Sequence, residues 1–237
     1  MRIRLFTIPN IITLCNLLCG TGAVLSALVY GDVKFALYFI LAAAVCDFLD
    51  GASARLLKQY SAIGVQLDSL ADMVSFGLAP ATIFYTIIEG GFTYVAMPDT
   101  CRTALACVPF LMTAFSALRL AKFNIDDSQH EEFCGLPTPA AAIFCASLAV
   151  LLSDKAIVVT GEWLALLSVV VAALLISPIR MFSLKFSSLK WSGNRLRFTF
   201  LLAALCAIIA WGIYSVPFII VTYIAVSTLL WIFRRTK

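Results

Sequence analysis

Apolar runs of roughly twenty residues recur along this chain, each long enough to cross a hydrocarbon core of about 30 Å as an α-helix. The 237 residues are 62% hydrophobic and 13% charged, whereas a soluble domain has about 25% charged residues. The sequence therefore predicts an all-α, polytopic membrane helical bundle. About eight transmembrane helices are expected, at roughly 9–30, 34–57, 62–88, 102–121, 138–154, 161–178, 197–214 and 216–233.

The basic residues orient these spans. If the N-terminus lies in the cytoplasm and the spans alternate, 14 of the 17 lysines and arginines fall on the cytoplasmic side. Only Lys34, Arg102 and Lys155 fall on the outer side. Cytoplasmic segments of membrane proteins are enriched in lysine and arginine. The bias therefore predicts an integral membrane protein with an even number of spans and both termini in the cytoplasm.

No repeat, low-complexity tract or long linker divides the chain, so a single membrane domain is expected over residues 1–237. The net charge of +4, concentrated on the cytoplasmic side, suits an anionic membrane surface and anionic substrates. No nucleic-acid partner is expected. Most of the eight cysteines fall within spans and are interpreted as small packing residues. The acidic loop at 126–133 holds the only histidine, His130, which we interpret as solvated.

Four aspartates interrupt the second and third spans, in the stretch "CDFLDGASARLLKQYSAIGVQLDSLAD". Asp47 and Asp50 are three residues apart, and Asp68 and Asp72 are four apart, so each pair shares one face of a helix. With a tight turn between the spans, both pairs lie about 12–18 Å along their helices from that turn. The two pairs are therefore expected to meet at similar depth across a seam between the two helices.

Four carboxylates in one cavity cannot all stay ionised without compensation. Arg55 is the only cation near them in sequence, and one cation does not neutralise four anions. Divalent cations would, since oxygen-rich sites suit Mg²⁺, Mn²⁺ or Ca²⁺, and two metals often clamp a displacement at phosphorus. The alternative is the cation or proton pathway of a transporter. The spans beyond Asp47 and Asp72 are almost entirely apolar, which favours a cavity open to the cytoplasm.

Eight positions between residues 47 and 72 follow a fixed pattern. They read Asp47-x-x-Asp50-Gly51-x-x-Ala54-Arg55 and then Gly64-x-x-x-Asp68-x-x-x-Asp72. This pattern resembles the complete signature of the CDP-alcohol phosphatidyltransferase family. The resemblance implies a helical membrane enzyme, commonly a homodimer, that binds two divalent cations through the four aspartates. Such enzymes move a phosphatidyl group from CDP-diacylglycerol to an alcohol and release CMP. The resemblance also implies that Asp72 is the general base as well as a metal ligand. Mg²⁺ or Mn²⁺ is expected, and Ca²⁺ also fits.

The residues expected to contact CDP-diacylglycerol come from the first span and from the motif. They are Pro9, Asn10, Thr13, Gly51, Ala54, Arg55, Ser61 and Gly64. Arg55 can pair with phosphate oxygens, and the small motif residues allow either close helix packing or close approach of a ligand. Two alternatives stay open. Ser61 either contacts the nucleotide or caps the third span. The polar stripe of Asn10, Thr13 and Asn16 either faces substrate or forms interhelical hydrogen bonds.

Further stretches indicate the acceptor alcohol. The sequences "IPNIITLCNLLCG" (8–20), "SFGLAPA" (75–81), "RLAKFN" (119–124) and "FCGLPTPAA" (133–141) resemble the phosphatidylserine synthase branch of the family, in its integral-membrane form. The likeness covers most of residues 8–142, the motif core, whereas the C-terminal helices at 161–233 carry no usable motif.

The branch resemblance implies serine as acceptor, which carries a carboxylate and an ammonium group beside its hydroxyl. Arg119, Lys122 and Asn124 are the expected serine-binding residues, although positive-inside anchoring would place basic residues there as well. Lys122 stands where the branch usually has arginine, which keeps the charge but loses the bidentate fork. Glycerol phosphate, inositol phosphate or choline as acceptor stay open as alternatives.

Overall fold

The structure is a computed structural model that describes residues 5–90, 98–125, 133–181 and 194–235. It is mostly helical, and its only sheet within those residues pairs two short antiparallel strands, β1 and β2. The helices are α1 (Ile8–Leu28), α2 (Val33–Leu56), α3 (Ala62–Asp72), α4 (Ala79–Glu89), α5 (Asp99–Cys107), α6 (Leu111–Ile125), α7 (Thr138–Ser153), α8 (Gly161–Ile176), α9 (Arg195–Trp211) and α10 (Val216–Arg235). A π-helix covers Met73–Leu78, 3₁₀ turns cover Val108–Phe110 and Gly212–Ser215, and the strands are Phe133–Cys134 and Arg180–Met181.

Within the described ranges, five helical segments are long and apolar enough to cross a membrane. They are Ile8–Leu28, Val33–Leu56, Ala62–Glu89, Thr100–Ile125 and Arg195–Phe233. Two shorter apolar helices, α7 and α8, accompany them. The predicted helical membrane bundle is therefore confirmed. The number of crossings stays a prediction, because Arg195–Phe233 contains two of the expected spans and α7 and α8 are short.

Each of the first three helices has an N-cap residue whose side chain accepts a backbone hydrogen bond. Thr7 caps α1, where its Oγ1 accepts a hydrogen bond from the Asn10 N–H at 3.4 Å. Asp32 caps α2 by accepting two backbone N–H groups at 3.0 Å. Ser61 caps α3, with its Oγ accepting the Gly64 N–H at 3.0 Å. Such caps satisfy N–H groups that have no partner within the helix, so the capping alternative for Ser61 is confirmed.

The third membrane segment is not one regular α-helix. Directly after Asp72 it widens into the π-helix, in which the Ala79 N–H bonds the Val74 carbonyl five residues back. Pro80 explains the change, because proline has no N–H to donate and its ring crowds the carbonyl four residues earlier. A short π-helix accommodates that lost hydrogen bond, and such turns are frequent beside functional sites.

Helix α1 packs against both α2 and α3, whereas the bodies of α2 and α3 hardly touch. Of the two alternatives for the seam, close packing or space for a ligand, the structure shows space between α2 and α3, and the aspartates of the two helices meet there as predicted. The carboxylates of the two helices face one another across a gap that α1 closes on one side. The small residues Gly51, Ala54 and Gly64 line this gap.

Gly20 lets α1 approach the π-helix closely. A Cβ atom at Gly20 would lie 2.7 Å from the Ser75 Cα, much closer than side-chain carbons approach backbone atoms. At this contact the Ser75 hydroxyl donates a hydrogen bond to the Asn16 carbonyl at 3.0 Å. Backbone contacts therefore fix the position of α1 beside the segment that follows Asp72.

The last two helices fold back on one another, since the Phe200 and Tyr223 rings lie 6.0 Å apart between centroids. At the turn of this hairpin, the Tyr214 hydroxyl donates a hydrogen bond to the Asp154 Oδ2 at 2.8 Å. The Lys34 Nζ lies 2.9 Å from the other oxygen of the same carboxylate. The hairpin turn, the start of α2 and the end of α7 therefore meet at one end of the bundle.

The Gly20 contact leads to the first prediction. Gly20→Ala should lower stability by about 1–3 kcal/mol, because the added methyl overpacks a contact that backbone atoms form. Thermal unfolding in detergent measures this, with Thr21→Ala as control, since Thr21 is exposed and bonds only its own helix. A Gly20→Ala variant as stable as the Thr21→Ala variant would contradict the close contact.

Candidate active site

Three of the four motif aspartates form a cluster. Asp47 and Asp50 of α2 and Asp68 of α3 each bring one carboxylate oxygen within 4.8 Å of the other two. Asp50 is buried and the other two are half-buried. Among the described residues, no lysine or arginine forms an ion pair with them. The Asp68 Oδ1 is buried without a hydrogen-bond donor from the described residues.

This donor set fits a divalent cation. Carboxylate oxygens are hard ligands that suit Mg²⁺, Mn²⁺ or Ca²⁺, and the buried Asp68 oxygen has a lone pair left to donate. Three carboxylates this close repel one another unless a cation lies between them. Asp72 does not belong to the three-carboxylate group, so its role as a further ligand stays a prediction.

Helix α1 supplies hydrogen bonds to two of the aspartates. The Thr13 hydroxyl donates to the Asp50 Oδ2 at 2.7 Å. The Asn16 Nδ2 donates to the Asp72 Oδ1 at 3.0 Å. Both donors are buried. Two residues of the polar stripe, Thr13 and Asn16, therefore form interhelical hydrogen bonds, and these bonds reach the motif aspartates directly. The third, Asn10, donates instead to the Leu5 carbonyl at 2.8 Å.

A cavity of about 240 Å³ opens beside the cluster between α1, α2 and α3. Asp50 and Asp68 form part of its wall. All eight residues expected to contact CDP-diacylglycerol line it: Pro9, Asn10, Thr13, Gly51, Ala54, Arg55, Ser61 and Gly64. The structure thus brings the whole predicted set together next to the carboxylates, and substrate contact at these residues stays a prediction.

Sequence reasoning missed three further residues of this wall, Gln59, Tyr60 and Val65. Gln59 and Tyr60 lie in the turn between α2 and α3, and Val65 follows Gly64. Their position between the two halves of the aspartate pattern was the available signal, because a cavity shared by both halves must also be bounded by the turn that joins them.

Arg119 and Lys122 of α6 line a second cavity, of about 280 Å³. Cys134 and the end of α8 form its opposite wall. The charge of Arg119 interacts with the Asp72 carboxylate, and its Nε is buried without a hydrogen-bond partner among the described residues. Lys122 is exposed. The Arg119 guanidinium is therefore directed partly into the protein, and its role as a serine ligand or as a membrane anchor stays a prediction.

Asn124, the third predicted serine-binding residue, lies apart from that cavity. Its Nδ2 donates a hydrogen bond to the Ser69 Oγ at 2.8 Å, which joins α6 to α3 one residue after Asp68. Sequence reasoning did not foresee this partner. A direct contact of Asn124 with substrate stays a prediction, and the observed bond gives the residue a packing role.

Gly135 shapes the wall opposite Arg119. Its φ of +77° is a conformation that favours glycine, and its N–H donates to the Ile179 carbonyl at 2.9 Å. The Leu136 N–H donates to the Leu174 carbonyl at 2.9 Å. The "FCGLPTPAA" stretch thus closes onto the end of α8.

The prediction for His130 lies outside the described residues, as do the expected cytoplasmic Arg2, Arg4, Lys185, Lys190 and Lys237.

The protein-family model described as CDP-alcohol phosphatidyltransferase matches residues 6–175, which include α1 to α7 and nearly all of α8. The chain belongs to the CDP-alcohol phosphatidyltransferase family. It is therefore an enzyme, and the transporter alternative is wrong. The matched region contains the three-carboxylate cluster, Asp72, the cavity between α1, α2 and α3, and most of the cavity at Arg119.

Similar curated proteins carry one name. A Helicobacter pylori strain J99 protein is 31% identical over 98% of this chain and 94% of its own length. A Bacillus subtilis protein is 36% identical over 57% of this chain and 71% of its own length. A Methanocaldococcus jannaschii protein is 29% identical over 75% of this chain and 74% of its own length. Each is named CDP-diacylglycerol–serine O-phosphatidyltransferase.

The carboxylate cluster leads to the second prediction. Exhaustive treatment with EDTA should abolish turnover, and Mg²⁺ or Mn²⁺ should restore it, because the clustered carboxylates need a cation between them. Mn²⁺ binding followed by electron paramagnetic resonance should weaken in Asp68→Asn. It should be unchanged in the control Asp154→Asn, whose carboxylate pairs with Lys34 instead. Full activity after complete chelation would contradict the metal site.

Proposed function

We propose that this chain transfers the phosphatidyl group of CDP-diacylglycerol to the hydroxyl of L-serine, giving phosphatidylserine and CMP. The observation that carries the proposal is the adjacency of the aspartate cluster to a cavity lined by all eight expected nucleotide-site residues. Serine as the acceptor is supported by the names of similar proteins that match up to 98% of the chain. It is also supported by the inward-directed Arg119 near Asp72.

CDP-diacylglycerol binds with its nucleotide in the cavity between α1, α2 and α3. Arg55 pairs with phosphate oxygens there, and Gly51 and Gly64 leave space beside the helix backbones. The four aspartates would hold two divalent cations, Mg²⁺ or Mn²⁺ with Ca²⁺ also compatible, which would neutralise the pyrophosphate charge. This arrangement leaves the phosphorus that carries the diacylglycerol open to attack.

The transfer is one displacement at that phosphorus. The serine hydroxyl oxygen forms the new bond to phosphorus, and Asp72 accepts the hydroxyl proton as general base. The bond from phosphorus to the bridging oxygen of the pyrophosphate breaks. CMP leaves with the electron pair of that bond, so atoms and charge balance without a covalent enzyme intermediate.

Serine is recognised through its charged groups. Arg119 binds the carboxylate in the second cavity, and Lys122 at the mouth of that cavity adds positive charge. Asn124 lies on the same helix as Arg119 and assists through its hydrogen bond to Ser69 of α3. Glycerol phosphate, inositol phosphate and choline are the competing acceptors; a phosphorylated acceptor calls for a further basic cluster, and in the part of the chain that the structure describes only Arg119 and Lys122 line the second cavity with positive charge.

The proposed topology has eight transmembrane helices with both termini and the active site on the cytoplasmic side. It is supported by the 14 basic residues expected there, and by Lys34 meeting the turn of the last hairpin at the opposite end. Residues 1–237 form one domain, in which helices 161–233 pack beside the motif core 8–142. The enzyme works as a homodimer in the lipid bilayer.

An acceptor comparison is the third prediction. Purified protein in detergent, given labelled CDP-diacylglycerol and Mn²⁺, should yield phosphatidylserine and CMP with L-serine. Glycerol 3-phosphate, inositol, inositol phosphate and choline offered in parallel should give product at background level. A higher rate with any of these acceptors would overturn serine as the substrate while leaving phosphatidyl transfer intact.

Replacing Arg119 is the fourth prediction. Arg119→Ala should raise the KM for serine by about 10- to 100-fold, since a charge-assisted hydrogen bond contributes about 1.5–3 kcal/mol. The KM for CDP-diacylglycerol should change little. Lys122→Arg serves as the matched variant and should keep activity, because it restores the fork geometry at the same charge. An unchanged serine KM in Arg119→Ala would reduce Arg119 to a structural residue.

A further inference from the structure

Asn16 is the only amide side chain among the described residues that bonds a motif aspartate. It is fully buried on α1, and its Nδ2 donates to the Asp72 Oδ1 at 3.0 Å. Asp72 is itself only 7% exposed. None of the three clustered carboxylates accepts a hydrogen bond from an amide side chain of the described residues. Asp50 accepts one from the Thr13 hydroxyl instead. The structure therefore separates Asp72 from the cluster and gives it a donor of its own.

The position of Asn16 does not depend on this side-chain bond. The Ser75 hydroxyl holds the Asn16 carbonyl at 3.0 Å, and one turn further along α1 the absence of a side chain at Gly20 allows the close contact with Ser75. Both contacts are made to the π-helix that directly follows Asp72. The backbone of Asn16 is thus held close to the segment that carries Asp72 by contacts other than the amide bond itself.

We infer that Asn16 is a positioning residue for Asp72. By holding Oδ1, it fixes the rotation of the carboxylate and leaves Oδ2 directed at the acceptor hydroxyl. Without the amide, the carboxylate can rotate about its Cβ–Cγ bond, and fewer encounters place a proton-accepting oxygen within reach of the hydroxyl. The inference rests on the proposed function, in which Asp72 is the general base.

An ordinary interhelical hydrogen bond would act differently. Such a bond contributes to stability in the membrane, and its loss would affect folding, substrate binding and turnover together. A positioning role affects the chemical step, because the geometry of proton transfer matters only there. The separation of kcat from KM, and of turnover from unfolding, therefore distinguishes the two roles.

The test replaces Asn16 by leucine, which keeps the size and removes the donor, and by alanine. Both variants should lower kcat by about 10- to 100-fold, the scale of losses from a misplaced catalytic group. The KM values for CDP-diacylglycerol and serine should stay within about twofold of the wild type, and so should the affinity for Mn²⁺. Thr86→Val is the matched control, because Thr86 bonds the Ala27 carbonyl of α1 at 3.2 Å away from the aspartates. It should keep the wild-type kcat.

A double-mutant cycle with Asp72→Asn completes the test. If Asn16 acts through Asp72, Asn16→Leu should cause no further loss of turnover in the Asp72→Asn background. A wild-type kcat in Asn16→Leu, or an equal loss in both backgrounds, would overturn the inference. A kcat loss in Thr86→Val equal to that in Asn16→Leu would also overturn it. Full turnover in Asp72→Asn alone would instead refute Asp72 as the base, and with it the proposed mechanism.

Discussion

The placement of four buried or half-buried carboxylates among apolar membrane helices is the constraint on which the rest of this structure depends. Each charge withdrawn from water costs free energy unless a cation or a hydrogen-bond donor compensates it. Helix α1 provides part of that compensation through Thr13 and Asn16, and the carboxylates of Asp47, Asp50 and Asp68 lie close enough together for a metal ion to supply the rest. The gap between α2 and α3 follows from the same requirement, because close packing would leave no space for cation or nucleotide.

The membrane helices and the aspartate pattern could be predicted from sequence because both are local properties. Helix length follows from the length of an apolar run, and a shared helix face follows from spacing. The partner of each polar side chain could not be predicted. Asn16 and Asp72 are 56 residues apart in sequence, and only the packing of the helices brings them together. The π-helix is intermediate, since Pro80 signals a disturbed helix without giving its form.

The two ends of the site differ in how their residues are held. The cavity proposed for the nucleotide is built from three consecutive helices, so the motif that forms it is compact in sequence. The cavity at Arg119 draws on α6, β1 and the end of α8, and Tyr223 of α10 contributes to the electrostatic surroundings of Arg119. If Arg119 binds the acceptor as proposed, acceptor recognition depends on elements spread over about a hundred residues, and α10 lies beyond the region that the family model matches.

The π-helix after Asp72 also changes the angular phase of the segment. A π turn holds about one residue more than an α turn, which rotates everything beyond it by about 100°. In an unbroken α-helix, Ile83 would fall on nearly the same stripe as Asp72, about three turns further along. The rotation moves Ile83 off that stripe and into the apolar core, where it is fully buried. The continuous segment from α3 to α4 can therefore present carboxylates to a polar cavity along its first half and an apolar face to the bundle along its second half.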